Sequence, residues 1–356
     1  MYQTGIRSKL AISSVLVLQL ALFQNAGSAP VKPTTKAGSA KTTAAKKPPT
    51  KPTAKTEEKE PVMLPVITEA QKKSPEYDEL RQRLMAKVRF CDEVQLQSNC
   101  EFAVSPWTLE DKKAVTDALE AACVMCPNLV KKAIAYSPIT VYRSRASMKR
   151  LAQAYPMYVQ GRGNELMFAN DFFTHDVIDV FDKYYSLKTW TTIHELVHLA
   201  DAGHKISSSA KWVKLLPKIF GAQLMTLKMG EDTDTVCWAM GAPSEYAGKN
   251  EREALAEYAT TMILVKNNPG LMPEVADFVK EHVLNADATV DPSIELNYEG
   301  WAVLKSKRST DADLIKALEK FKKALEIDPN YSEADWGRKL AEMRVEAAAK
   351  KTPPQN

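Results

Sequence analysis

His194, Glu195 and His198 stand in the pattern His-Glu-x-x-His inside the apolar run Trp190–Ala200. If that run is a helix, positions four apart share a face, and both imidazoles can reach one metal ion. Glu195, one position along, can then reach a water held by that ion. Neutral imidazole is a good zinc ligand, and zinc brings the pKa of a bound water toward ~7. A carboxylate beside such a water can take its proton as it attacks a carbonyl. The residue types and spacing therefore point to metal-assisted hydrolysis with one Zn2+ per chain. The bland alternative is a pair of core histidines. Only five histidines occur in the chain, so this spacing seldom arises by chance, and a histidine on an apolar helix face is costly without a partner.

A catalytic zinc site has three protein ligands and one open position. Two residues compete for the third place. His204 lies ten positions after His194, which is the HExxHxxGxxH spacing of metzincins. However, Asp201 stands where that pattern has glycine, and Met240-Gly241-Ala242-Pro243 is only a loose Met-turn. The other candidate is Glu253, within the segment Ser244 to Glu257. Asn250 is a natural N-cap there, and Glu253 and Glu257 share a face of the helix that follows. Glu253 could instead be a capping-box carboxylate folded back on Asn250, and Glu257 a solvated surface acid.

The segments HELVHLAD (His194–Asp201) and YAGKNEREALAE (Tyr246–Glu257) together resemble the catalytic domain of the anthrax lethal factor-like zinc metallopeptidases. The first matches HExxHxxD, including Asp201. The second matches Tyr-x6-Glu-x3-Glu, and Ser207-Ser208-Ser209 followed by Trp212 resembles the stretch often seen after the first helix. The resemblance covers roughly residues 137–285. It implies His194, His198 and Glu253 as zinc ligands, Glu195 as general base, and Tyr246 as hydrogen-bond donor to the developing oxyanion. Such a donor is worth ~3 kcal/mol in a transition state. Glu257 would support a ligand imidazole from behind, and Asp201 would also support the site. His204 would then be a surface residue at a helix C-terminus, where partial positive charge suits the dipole. The implied substrate is a peptide or protein. The implied fold is α+β and mostly helical: a zincin-type domain with a small sheet and the HExxH helix, flanked by helical modules.

The elements that must position these residues can be read from periodicity. Leu80, Leu84, Met85 and Val88 recur at helical spacing, and Thr108 caps a run through Ala122, so residues 61–136 read as a small helical subdomain. Ile139–Arg143 reads as a strand and Ser147–Tyr155 as a helix. Met157–Val159 and Glu165–Ala169 read as two strands around Gly161-Arg162-Gly163-Asn164. Residues 165–170 could form a sheet edge that pairs with an extended substrate; an ordinary core strand is the alternative. Phe172, Phe173 and His175 read as packing residues in a loop. Helices are expected near 188–202 and 250–266, and most of 270–350 is helical.

The C-terminal part, 286–349, reads as a helical module. Trp301, Leu304, Ala317, Phe321, Ala324 and Pro329 fall at tetratricopeptide-repeat spacing, so 298–331 resembles one repeat and 332–348 a capping helix. A free-standing solenoid needs about three copies, so a single one should pack on the preceding domain. Residues 350–356 read as a frayed tail.

The chain has 356 residues, 45% hydrophobic and 26% charged, which excludes a wholly disordered or fibrous protein. Arg7, Lys9 and eight further lysines oppose Glu57, Glu58 and Glu60 in residues 1–60, giving +7 and leaving −3 of the total +4 on residues 61–356. The folded part is mildly acidic, so no nucleic-acid partner is expected. Residues 1–29 read as an export signal: Arg7 and Lys9 precede the apolar run Leu10–Phe23 and the small residues Ala26 to Ala29. A spanning helix would need roughly 20 apolar residues. Residues 30–60, rich in Pro, Lys, Thr and Ala, read as a disordered spacer whose lysines could make weak contact with the cell envelope. Five cysteines, at 91, 100, 123, 126 and 237, suit an oxidising compartment and structural disulfides, with a redox pair or structural zinc as alternatives. The expectation is an exported, periplasmic or secreted, zinc endopeptidase. The competing readings are a non-catalytic scaffold of the cell envelope and a zinc amidase acting on cell-wall peptide.

Overall fold

Residues 67–92, 104–144, 151–155, 164–226, 239–242, 244–265, 268, 270–306 and 308–351 are described by a computed structural model. They form a mostly helical α+β arrangement with a small mixed sheet. Ser74 and Thr108 cap α1 (Pro75–Lys87) and α2 (Leu109–Met125), each side-chain oxygen accepting the amide three positions on. These caps satisfy N–H groups that a helix start leaves without partners. β1 (Val88–Cys91) and β2 (Val104–Ser105) separate the two helices. Pro127 opens α3 (Pro127–Ala133), where its missing N–H costs nothing. β3 (Ile139–Ser144), β4 (Ala152–Tyr155) and β5 (Asn164–Phe168) follow.

β1, β3 and β5 run parallel, with Val88 opposite Ile139 and Ile139 opposite Asn164. β2 pairs antiparallel with the end of β3, Val104 opposite Ser144. β4 closes the far side, antiparallel to β5, with Ala152 opposite Phe168 and Ala154 opposite Leu166. Through β1 and β2, residues 67–136 share this sheet with the later strands. They also share one apolar core, in which Leu84, Leu119 and Leu129 join Phe168, Ile193 and Leu196.

Two strand assignments differ from expectation. β5 is not the sheet edge: it lies between β3 and β4, and every residue in it is buried. A strand flanked on both sides suits the run Leu166-Met167-Phe168. Among the described residues β4 stands at one edge, with β1 at the other, and β4 lies where a helix through Tyr155 was expected. Leu, Ala and Gln favour helix locally, but pairing with β5 overrides that preference. Residues 147–150 and the expected strand 157–159 lie outside the described residues. Phe172 and Phe173 sit in a short helix, α4 (Asn170–Thr174), rather than a loop. They do pack, with the Phe172 ring centroid 4.4 Å from that of Phe168 and 4.9 Å from that of Phe173.

β6 (Val177–Val180) and β7 (Lys183–Ser186) form a separate hairpin. Its two turn residues, Phe181 and Asp182, both have positive φ, 54° and 59°, as a twisted two-residue hairpin turn requires. Ser186 then caps α5 (Leu187–His204), accepting from Thr189 N. Trp190, Ile193, Leu196, Val197, Leu199 and Ala200 are all buried. A helix apolar on nearly every side belongs in the interior, and α5 packs against α2, α3 and β4. The Tyr136 hydroxyl lies 2.9 Å from Asn164 Oδ1 and 3.0 Å from the Leu199 carbonyl, tying α5 to β5. Its ring leaves room only for glycine at 203, where a Cβ would fall 2.3 Å from it.

α6 (Ala210–Phe220), α7 (Glu251–Leu264) and α8 (Pro273–Phe278) complete this core. Buried Trp212 stacks near Tyr258 and Phe278, and its indole N–H donates to the Glu251 carbonyl at 3.2 Å. α6 thereby holds the first turn of α7. α9 (Pro292–Lys305), α10 (Asp311–Ile327) and α11 (Ser332–Lys351) pack around Trp301, Phe321 and Tyr331. They dock on the end of α5. Asp291 N donates to the Gly203 carbonyl at 3.1 Å, and Lys205 Nζ lies 2.6 Å from Asp328 Oδ2.

Cys123 and Cys126 are buried free thiols. Burial pushes the Cys123 thiol up to about 12 and also raises that of Cys126. Cys100 and Cys237 lie outside the described residues. No helix among the described residues is long and apolar enough to cross a membrane.

Candidate metal centre

α5 presents His194 and His198 one turn apart, and α7, packed against it, presents Glu253. Asn250 caps α7 as its sequence suggested: Oδ1 accepts from Arg252 N at 3.0 Å and from Glu253 N at 2.9 Å. The Glu253 carboxylate turns to the histidines. Glu253 Oε2 lies 3.0 Å from His194 Nε2 and 3.1 Å from His198 Nε2, and the two Nε2 atoms are 3.2 Å apart. The three donor atoms thus converge within 4.8 Å of one another.

Two imidazoles and one carboxylate are the donor set of a hydrolytic zinc centre. Such a cluster needs a cation at its middle. Burial would push the His194 imidazole down, but hydrogen bonds with Glu253 and Glu257 outweigh it and hold His194 well above its ordinary value. Glu253, which burial alone would push up, is held well below the usual carboxylate range by the His198 charge and by hydrogen bonds from both histidines. The donor set and its convergence fit zinc.

The remaining residues are placed around this cluster. Glu257 Oε1 lies 3.0 Å from His194 Nδ1, and its other oxygen accepts from Ser244 Oγ at 2.7 Å. The Tyr246 hydroxyl donates to Glu253 Oε1 at 3.3 Å, its ring edge-on to that of His194. Glu195 is buried, and its Oε2 accepts from Ala154 N at 2.6 Å. Burial pushes its carboxyl above the ordinary range, against the pull of His194 and His198.

Two expectations change. Asp201 does not support the cluster through its carboxylate: Oδ1 accepts from Ser207 N at 2.6 Å and Oδ2 from Ser207 Oγ at 2.7 Å, closing the turn after α5. His204 is neither at the centre nor on the open surface. It is part-buried against the backbones of Lys132 and Thr289, and burial lowers its pKa, so it brings little charge to the helix end.

The outer edge of β4 faces this centre. Ala169 N donates to the Leu151 carbonyl at 2.9 Å, so these two oppose each other as a hydrogen-bonded pair. The antiparallel ladder alternates, so Ala152 and Ala154 must point their N–H and C=O groups away from β5. A cavity of about 290 Å³ opens beside Ala152, with Leu151, Ile178, Leu187 and Trp190 on its apolar side and His194, Glu195 and Tyr246 on its polar side. Ser244 and the β4 edge were not singled out from sequence. Their roles depend on contacts between distant segments, which no local spacing announces.

No family model matches the chain, and no curated protein matches it. A solved structure from Bacteroides caccae, described provisionally as a zinc-binding metallo-peptidase, is similar at 14% identity and a TM-score of 0.27. The match covers 80% of this chain and 96% of that one.

Proposed function

We propose that this chain is a zinc metallopeptidase that hydrolyses peptide bonds, related to the lethal factor-like enzymes. The observation that carries the reading is the convergence of His194 Nε2, His198 Nε2 and Glu253 Oε2, with Glu195 buried next to them. These three residues would hold one zinc ion. Bound zinc supplies Lewis-acid chemistry, acidifying water toward neutral pH and polarising a carbonyl. Glu195 takes the proton of the attacking water and passes it to the leaving amine. The Tyr246 hydroxyl donates to the carbonyl oxygen as negative charge develops there. Glu257 fixes the orientation of His194. An extended peptide pairs with the outward N–H and C=O of Ala152 and places a side chain in the apolar cavity.

Export belongs to the same reading. It rests on Arg7, Lys9 and the apolar run Leu10–Phe23, and it makes the substrate a peptide or protein outside the cytoplasm. The test is cleavage of a mixed peptide library by the zinc-loaded protein, read by mass spectrometry. Glu195→Gln should lower cleavage by at least about 100-fold, with fold and zinc retained. Undiminished cleavage by that variant would remove Glu195 from the chemistry. No cleavage by the wild type would favour a binding or scaffold role.

A further inference from the structure

We infer that the backbone amide of Ala154 is a positioning group for Glu195: it holds the carboxylate at the metal centre and is withheld from substrate pairing. The inference rests on the peptidase reading above. Ala154 is one of the two β4 residues whose N–H and C=O face outward, because Leu151 and Gln153 occupy the hydrogen-bonded positions of the ladder with β5. Its N–H meets Glu195 Oε2 at 2.6 Å. A short amide-to-carboxylate bond in a buried place is strong and directional. One oxygen of Glu195 is thereby fixed, and the other is the one left to exchange a proton.

The arrangement divides the sheet edge between two tasks. An amide has one hydrogen, so Ala154 N–H cannot serve Glu195 and a substrate carbonyl together. Backbone pairing with substrate is therefore left to Ala152, and Ala154 serves the chemistry. The register of β4 becomes a condition for activity, because a slip of one residue would turn the Ala154 amide inward to β5 and present Gln153 instead.

The test removes this one N–H. Proline is tolerated on an edge strand where the N–H points outward, so Ala154→Pro spares the ladder, while its ring carbon takes the place of the hydrogen and also crowds Glu195 Oε2. Ala154→Ser keeps the amide and is the control. With zinc content and Tm near wild type, Ala154→Pro should lower kcat by about 10- to 100-fold. KM should stay within about 3-fold, and peptide binding to the Glu195→Gln protein should not change when Ala154→Pro is added. Lactic acid in place of Ala154 by nonsense suppression swaps the N–H for an ester oxygen without that added bulk, and the same comparison decides, also where Ala154→Pro does not fold. An unchanged kcat overturns the inference. A raised KM with unchanged kcat also overturns it and assigns the amide to substrate. If the wild type itself cleaves nothing, the peptidase reading fails and the role of Ala154 fails with it. If the wild type cleaves and the amide-less protein cleaves equally well, only the Ala154 assignment is lost.

Discussion

Glu257 Oε1 lies 3.0 Å from Nδ1 of His194, on the side of the ring opposite Glu253. A carboxylate there accepts the Nδ1 proton, so that Nε2, once it has given up any proton of its own, turns its lone pair to the cluster. Ser244 Oγ, donating to the other oxygen of Glu257 at 2.7 Å, holds the carboxylate in that pose. Glu257→Ala should weaken zinc binding by about 10- to 100-fold, and Ser244→Ala should weaken it less. Competition with a chromophoric chelator measures both.

Zinc binding should release a proton at neutral pH. Hydrogen bonds with Glu253 and Glu257 hold His194 well above its ordinary value in the metal-free protein, which favours its protonated form, and that proton must leave for Nε2 to coordinate zinc. Calorimetry in buffers of different ionisation enthalpy should show the release, and affinity should fall as pH is lowered. The stability of the metal-free protein follows the same shifts. The raised His194 contributes stability below its unfolded value of about 6.5, and that is lost as pH rises through its folded value. The depressed Glu253 contributes above about 4.3, and that is lost as pH falls through its folded value. The pair therefore stabilises the metal-free protein most between these limits, and added zinc should raise Tm more as pH rises through the His194 value, where no proton has to be displaced.

Trp212 carries a structural prediction. It is fully buried, stacks near Tyr258 and Phe278, and donates to the Glu251 carbonyl two residues before Glu253. Trp212→Ala should cost about 3–5 kcal/mol by leaving a cavity. Urea unfolding with and without zinc checks it, and zinc affinity should fall along with stability because the start of α7 loses its support.

The pairing of His194 with His198 was legible in the sequence because its signal is local, whereas the choice of Glu253 over His204 came from the resemblance. His194 and His198 repeat at the helical period in an apolar run, and Asn250 marks the start of the helix that carries Glu253 and Glu257. The sheet edge was not legible. Leu151 to Tyr155 has good helix formers, and its strand state comes from β5, a partner that no spacing within the segment announces. Asp201 fitted a motif position, yet nothing in the spacing showed that Ser207 would fold back onto it. His204 fitted the metzincin spacing, but the turn at Lys205, with φ of 50°, follows directly and the ring goes to the Lys132 and Thr289 backbones.

Zinc content by elemental analysis, in the wild type, Glu253→Ala and His204→Ala, tests the metal centre most directly. About one zinc per chain should be found in the wild type and in His204→Ala, and Glu253→Ala should lose it on dialysis. Zinc kept by Glu253→Ala but lost by His204→Ala, or no zinc in a folded wild type, would contradict the centre described here.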